Sequence, residues 1–135
     1  MTAQGRLAAG LVALAVVAVL ALLLWPRAAA PVVVAGQAGP HHVQLALDTP
    51  AVGVHDLALD VTGPVDRLVV APVMVEMGHA SAPVTATPAA PGRFEAAGVE
   101  FFMPGRWDVT VTVHGPDGSD DVVLPVLIAP RGREP

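Results

Sequence analysis

Leu7 to Trp25, LAAGLVALAVVAVLALLLW, is a run of nineteen residues without a charged side chain. As a helix it would be apolar on every side, which a small soluble domain cannot bury and a bilayer can accept. At a rise of about 1.5 Å per residue it would extend roughly 28 Å, close to the thickness of a hydrocarbon core. Trp25 stands where an interfacial aromatic belongs, and Pro26 ends the helix just beyond it. Arg6 and the α-amino group precede the run and Arg27 follows it, a slight bias towards a cytoplasmic N-terminus. Residues 1–27 are therefore expected to anchor the chain in the cell membrane as a single pass, with the C-terminal domain extracytoplasmic. The competing expectation is a cleaved signal peptide with Ala28-Ala29-Ala30 as its A-x-A site. Its apolar region would be longer than the usual ~7–15 residues, and Arg27 and Pro31 flank the cut awkwardly. Both alternatives export the rest of the chain.

The remainder of the chain cannot be a helical bundle. Fourteen prolines and thirteen glycines punctuate the 135 residues, too often for long helices, which leaves short strands and turns. An apolar share of 53% is enough for one core. With no Lys, seven Arg and a net charge of −5, the chain lacks the basic face that phosphate neutralisation requires, so no nucleic-acid partner is expected. Cys is absent, which excludes disulfides, thiolate metal sites and thiol nucleophiles.

Residues 28–40 are rich in Ala, Pro, Gly and Val and predict a semi-rigid linker ending in a possible strand at 32–35. Alternation then predicts strands at 42–48 and 53–62. Asp66 to Val75 is a nearly continuous apolar run, as expected for a strand buried on both sides or at a sheet edge, and Pro72 favours the edge. A strand is possible at 82–87, followed by a turn at 88–92 and two short strands at 93–96 and 99–103 around Gly98. Trp107, Val109, Val111 and Val113 alternate with Asp108, Thr110, Thr112 and His114, the clearest half-buried strand in the chain. Gly115-Pro116-Asp117-Gly118 predicts a turn, and Val122 to Ile128 a last strand with Pro125 as another edge sign. Short strands at this spacing predict an all-β, immunoglobulin-like β-sandwich over residues 41–130, preceded by one transmembrane helix.

The groups with metal chemistry concentrate in V-M-V-E-M-G-H-A, residues 73–80, which holds Met74, Met77 and His79 with Glu76 between them. Thioether sulfur suits Cu(I) and imidazole suits copper in either oxidation state, so copper is the expected cofactor ahead of zinc or calcium. Met also fills irregular gaps in cores, the structural alternative for Met74 and for Met103. In one continuous strand Met77 and His79 share a face and Met74 points away, so a joint site needs a bend, which Gly78 can supply. Met103, before Pro104-Gly105, would complete the set if both loops lie at one end of the sandwich. Glu76 is better placed as a solvated carboxylate. His55 is in phase with Leu57 and Leu59 and predicts a cap on the core edge, while His114 is in phase with Thr110 and Thr112. The adjacent His41 and His42 diverge if they lie in a strand, though one could reach a Cu(II) ion. Neither Ser81 nor Ser119 sits in a nucleophile elbow, Asp117, Asp120 and Asp121 lack calcium-loop spacing, and no phosphate-binding glycine loop is present, so no enzyme is expected.

Pro50-Ala51-Val52-Gly53 before a strand, M-V-E-M-G-H-A at 74–80, Pro91-Gly92-Arg93-Phe94, and F-F-M-P-G-R-W-D-V-T-V at 101–111 occur in this order. Together they resemble the YtkA-like domain, which is related to FixH-like proteins, over roughly residues 41 to 128. The resemblance implies an immunoglobulin-like sandwich outside the membrane, associated with copper handling or respiratory-oxidase assembly. It places the family's Met/His positions on Met74, Met77, His79 and Met103. Val75 replaces a proline common after the first Met, and Phe94 stands where Tyr is common; neither change removes a ligand.

Two functions are therefore expected as alternatives. One is a membrane-tethered domain that binds copper or hands it to a copper-protein partner. The other is a metal-free module that assists assembly of a membrane complex such as an oxidase or transporter, with exposed Met as adaptable contacts.

Overall fold

A computed structural model describes residues 2–25 and 30–132. Helix α1, Ala3–Leu24, is longer than the uncharged run and takes in Arg6; none of its residues is buried. It is long and apolar enough to cross a membrane and lies near the N-terminus, as an anchor or a signal sequence would. The expected stop at Pro26 and Arg27, and most of the Ala28–Ala30 cleavage alternative, fall outside the described residues.

The rest is an immunoglobulin-like β-sandwich of two antiparallel sheets. The strands are β1 Val32–Ala38, β2 His41–Leu47, β3 Gly53–Val61, β4 Arg67–Met74, β5 His79–Ala80, β6 Val84–Thr85, β7 Thr87–Ala90, β8 Arg93–Phe101, β9 Gly105–Gly115 and β10 Gly118–Ile128. One sheet runs β1-β2-β3-β8-β7; the other runs β10-β9-β4-β5, with β6 also on β4. Inward residues of both sheets form one core around Trp107, Phe101, Leu45, Leu57 and Leu59. The alternation in β9 is as predicted, with Trp107, Val109, Val111 and Val113 fully inside.

Several boundaries differ from the sequence expectation, each for a physical reason. The strand expected at 32–35 within the linker runs on from Val32 to Ala38, hydrogen-bonded along its length to β2, so the sandwich starts at 32 rather than 41. Its side chains are small and uncharged, which hides an edge strand among spacer-like residues. The region around Gly98 is one strand rather than two: Gly98 has φ +73° and occupies a bulge where β3 and β8 shift register, its N–H donating to the Asp56 carboxylate at 3.0 Å. Pro88 lies within β7, an edge strand and so a position where proline is tolerated, and only Pro91-Gly92 turns.

Pro72 follows the same logic within β4. One side of β4 carries the long strand β9; the other carries only β5 and β6, which leave a gap between them. The Pro72 carbonyl accepts from Ser81 N–H at 3.1 Å. A residue's N–H and C=O point to the same side of a strand, so the missing N–H faces this broken edge and the ladder to β9 stays whole.

The ends of the long strands fall into two groups. The starts of β1, β3 and β9 and the ends of β2, β4, β8 and β10 lie at one end of the sandwich, as the pairs Val32 with Leu47, Gly53 with Phe101, Gly105 with Ile128 and Ala51 with Ala129 require. At the opposite end His41 is 5% exposed, and its Nδ1 lies 2.7 Å from the Thr62 carbonyl. A carbonyl only accepts, so Nδ1 carries the hydrogen. Gly63 and Gly115 make room for the ring; a Cβ on either would lie 3.1 or 3.3 Å from a ring nitrogen. His41→Ala is expected to lower stability by about 1–3 kcal/mol by leaving the Thr62 carbonyl unsatisfied. Urea unfolding measures this, and an unchanged midpoint would refute the role.

Candidate functional site

The end of the sandwich where the chain enters β1 carries all four Met and His residues of the candidate site. β4 ends at Met74, a 3-10 turn covers Val75–Met77, Gly78 closes it at φ +65°, and β5 returns antiparallel from His79. The Gly78 N–H donates to the Val75 carbonyl at 3.2 Å. The expected bend at Gly78 is therefore present, and it produces a tight hairpin rather than an open loop. Its register pairs Met74 with His79. Directly opposed residues of an antiparallel pair project to the same face with Cβ atoms about 4.5–5.5 Å apart, so the hairpin brings Met74 and His79 side by side.

The four residues differ in accessibility. Met74 is 4% exposed and belongs to the core. Met103, in the β8–β9 loop, is half-buried and packs against that core. Met77 is 54% exposed in the turn, and His79 is exposed beside it. Glu76 is exposed, as expected of a solvated carboxylate. The groups open to solvent are thus Met77 and His79, with Met103 at the margin and Met74 beneath.

Two features of this rim escape sequence reading. Phe102 is exposed and stacks obliquely on His79, with ring centroids 5.9 Å apart. Its other neighbour is Trp107, edge-to-face at 5.1 Å, and Trp107 packs on Phe101 in the same manner at 5.4 Å. The signal was the Phe101-Phe102 pair itself: adjacent residues at a strand end diverge, one into the core and one onto the rim. The second feature is a set of backbone ties. The Trp107 indole N–H donates to the Met103 carbonyl at 3.0 Å, and the Ser81 hydroxyl donates to the Glu100 carbonyl at 2.5 Å. These bonds fix the loop that carries Phe102 and Met103 and hold the segment after β5 to β8.

Beside the turn lies a shallow cavity of about 180 Å³ lined by Val75, Glu76, Arg106 and Asp108. Arg106 and Asp108 pair across it at 3.4 Å. Among the described residues no three His, Asp or Glu side chains gather as a metal site, so a metal at this rim would have to draw on thioether sulfur. No family model, no curated protein and no solved structure matches the chain.

The remaining histidines lie elsewhere. His55 is half-buried and packs near Phe101, with Nε2 2.6 Å from the Ala51 carbonyl. Because a carbonyl cannot donate, Nε2 carries the hydrogen, and the ring pins the start of β3. His114 bridges Arg67 and Ser119 at the far end, and His41 and His42 point to opposite faces there, the first buried and the second exposed.

Proposed function

We propose that this protein is a membrane-anchored, extracytoplasmic YtkA-like domain that holds or passes copper at the rim formed by Met77, His79, Met103 and Met74. The observation that carries this reading is the β4–β5 register, which sets Met74 opposite His79 with Met77 in the turn between them. Thioether and imidazole are the donor types that Cu(I) accepts. Two of these donors are exposed, so the ion can be taken up from a partner and released to one. Helix α1 supplies the anchor, and the cations before it favour the cytoplasmic side for the N-terminus.

Cu(I) titration of the full chain in detergent, against a competing chelator, tests the proposal. Met77→Ala with His79→Ala is expected to weaken affinity by at least the roughly 10–100-fold that loss of a ligand-orienting partner costs. An affinity unchanged in the double variant would remove the copper reading.

The exposure of Met77 and Phe102 favours a second reading, a metal-free module that docks on a membrane complex during assembly. Recovery of a membrane-protein partner by the chelator-treated chain, lost on changing Met77 and Phe102 to Ser, would support it. Recovery that requires added copper would reject it.

A further inference from the structure

Beyond Trp25, the described chain has seven large apolar side chains that are exposed, and six of them lie at one end of the sandwich: Val33, Val54, Val75, Met77, Phe102 and Leu127. The seventh, Val123, is in the middle of β10 opposite Thr110. The other end presents turns of a different chemistry, including Gly39-Pro40, Gly63-Pro64 and Pro116-Asp117. Scattered exposed apolar residues need no explanation, but their segregation to one end does.

That end is also the one where the chain arrives from α1. Val32 opens β1 there, and β1 runs away from it. From Trp25 to Val32 there are seven Cα steps, which reach at most about 25 Å at ~3.6 Å per step. The eleven residues of β9 span the sandwich from end to end, about 35 Å at ~3.3 Å per residue. With the helix in a bilayer, the apolar end is held within one short tether of its surface. Inverting the domain would lift Val32 by at least the length of β1, about 23 Å at ~3.3 Å per residue, and draw the tether nearly taut.

We propose that this apolar end rests on the lipid–water interface of the membrane that anchors the chain, with Val75, Met77 and Phe102 inserted at the headgroup boundary. The inference rests on the anchor reading but is independent of copper. Shallow insertion of apolar side chains is a recognised mode of interfacial binding. Asp48, Glu76 and Glu100 are exposed at the same end beside the exposed Arg106; this mixed set has no basic excess, so the matching surface is zwitterionic rather than anionic lipid. A domain held this way presents its Met/His rim to the membrane plane, where a bilayer-embedded partner could reach it and a freely diffusing one could not.

The chain has no Cys, so single variants can be labelled at one place each. Leu14→Cys reports on the helix, Met77→Cys on the apolar end and Asp117→Cys on the opposite end; all three positions are exposed, so labelling leaves the fold intact. Each full chain carries a small fluorophore and is reconstituted in phosphatidylcholine vesicles with and without brominated acyl chains. The expected result is loss of more than half of the emission at 14 and at 77, and an unchanged emission at 117. Quenching at 14 without quenching at 77 overturns the docking while leaving the anchor standing, and covers the case in which a second copy or a protein partner occupies the rim. Equal quenching at 77 and 117 overturns it as well, because the domain then has no preferred face. Absence of quenching at 14 removes the anchor and the docking together.

Discussion

Trp107→Ala is expected to be among the most destabilising single substitutions in this protein, costing about 3–5 kcal/mol, the range for emptying a buried aromatic site. Trp107 is 0% exposed and packs edge-to-face on both Phe101 and Phe102. Its indole N–H also satisfies the Met103 carbonyl. Truncation therefore opens a cavity at the centre of the core and releases the loop at its rim. In a domain of this size each kcal/mol lowers Tm by about 4–8 °C, so thermal and urea unfolding measure the effect readily. Trp107→Phe should keep most of the packing and lose the hydrogen bond, costing less than the alanine variant. A loss below about 0.5 kcal/mol for Trp107→Ala would contradict the core position, since that is the size of a typical surface change.

The same residue shows how much of the fold was legible in the sequence. Trp107 to His114 alternates strictly, and a half-buried strand is the conformation that gives period-2 burial. Where the pattern is regular and the strand long, pattern and structure coincide. The apolar run of β4 was harder to read: it suggested burial on both faces or a sheet edge, and the structure gives alternation, with the alternate residues only half-covered because β5 and β6 are too short to flank the strand. β1 was read only in part, as a strand at 32–35 inside a linker, because Val, Ala and Gly serve equally well in a tether and in an edge strand. What separates the two is the partner β2, a tertiary fact absent from the local sequence.

The candidate site was legible in its chemistry and less so in its geometry. Met74, Met77, His79 and Met103 do share one end, and Gly78 does turn the chain. Spacing alone set Met74 on the face opposite both Met77 and His79. The hairpin register, set by a turn from Val75 to Gly78, puts Met74 beside His79 instead. Burial then divides the methionines, and no spacing rule predicts that division. Met74 sits at the last core position of β4, whereas Met77 lies in a turn with nothing above it.

This division makes Met74 the position at which packing and the proposed copper ligation can be separated. Met74→Ala is expected to cost about 2–5 kcal/mol, as for other buried Met or Leu truncations. Gly105 explains why the site is tight: it has φ +130°, and a Cβ on it would lie 2.8 Å from the Met74 methyl group. The thioether thus fills space that only a glycine leaves open. Met74→Leu conserves volume and should cost less than about 1.5 kcal/mol, so it preserves the core while removing the sulfur. Urea unfolding of the two variants tests the packing role, which fails if alanine and leucine cost the same. Cu(I) titration of Met74→Leu then tests ligation on a folded domain. If Met74 binds the ion beside His79, affinity falls at least roughly tenfold, the effect of 1.4 kcal/mol. If affinity holds while Met77→Ala and His79→Ala each lower it, the site is confined to the exposed donors, and Met74 acts by supporting the strand from which the hairpin turns.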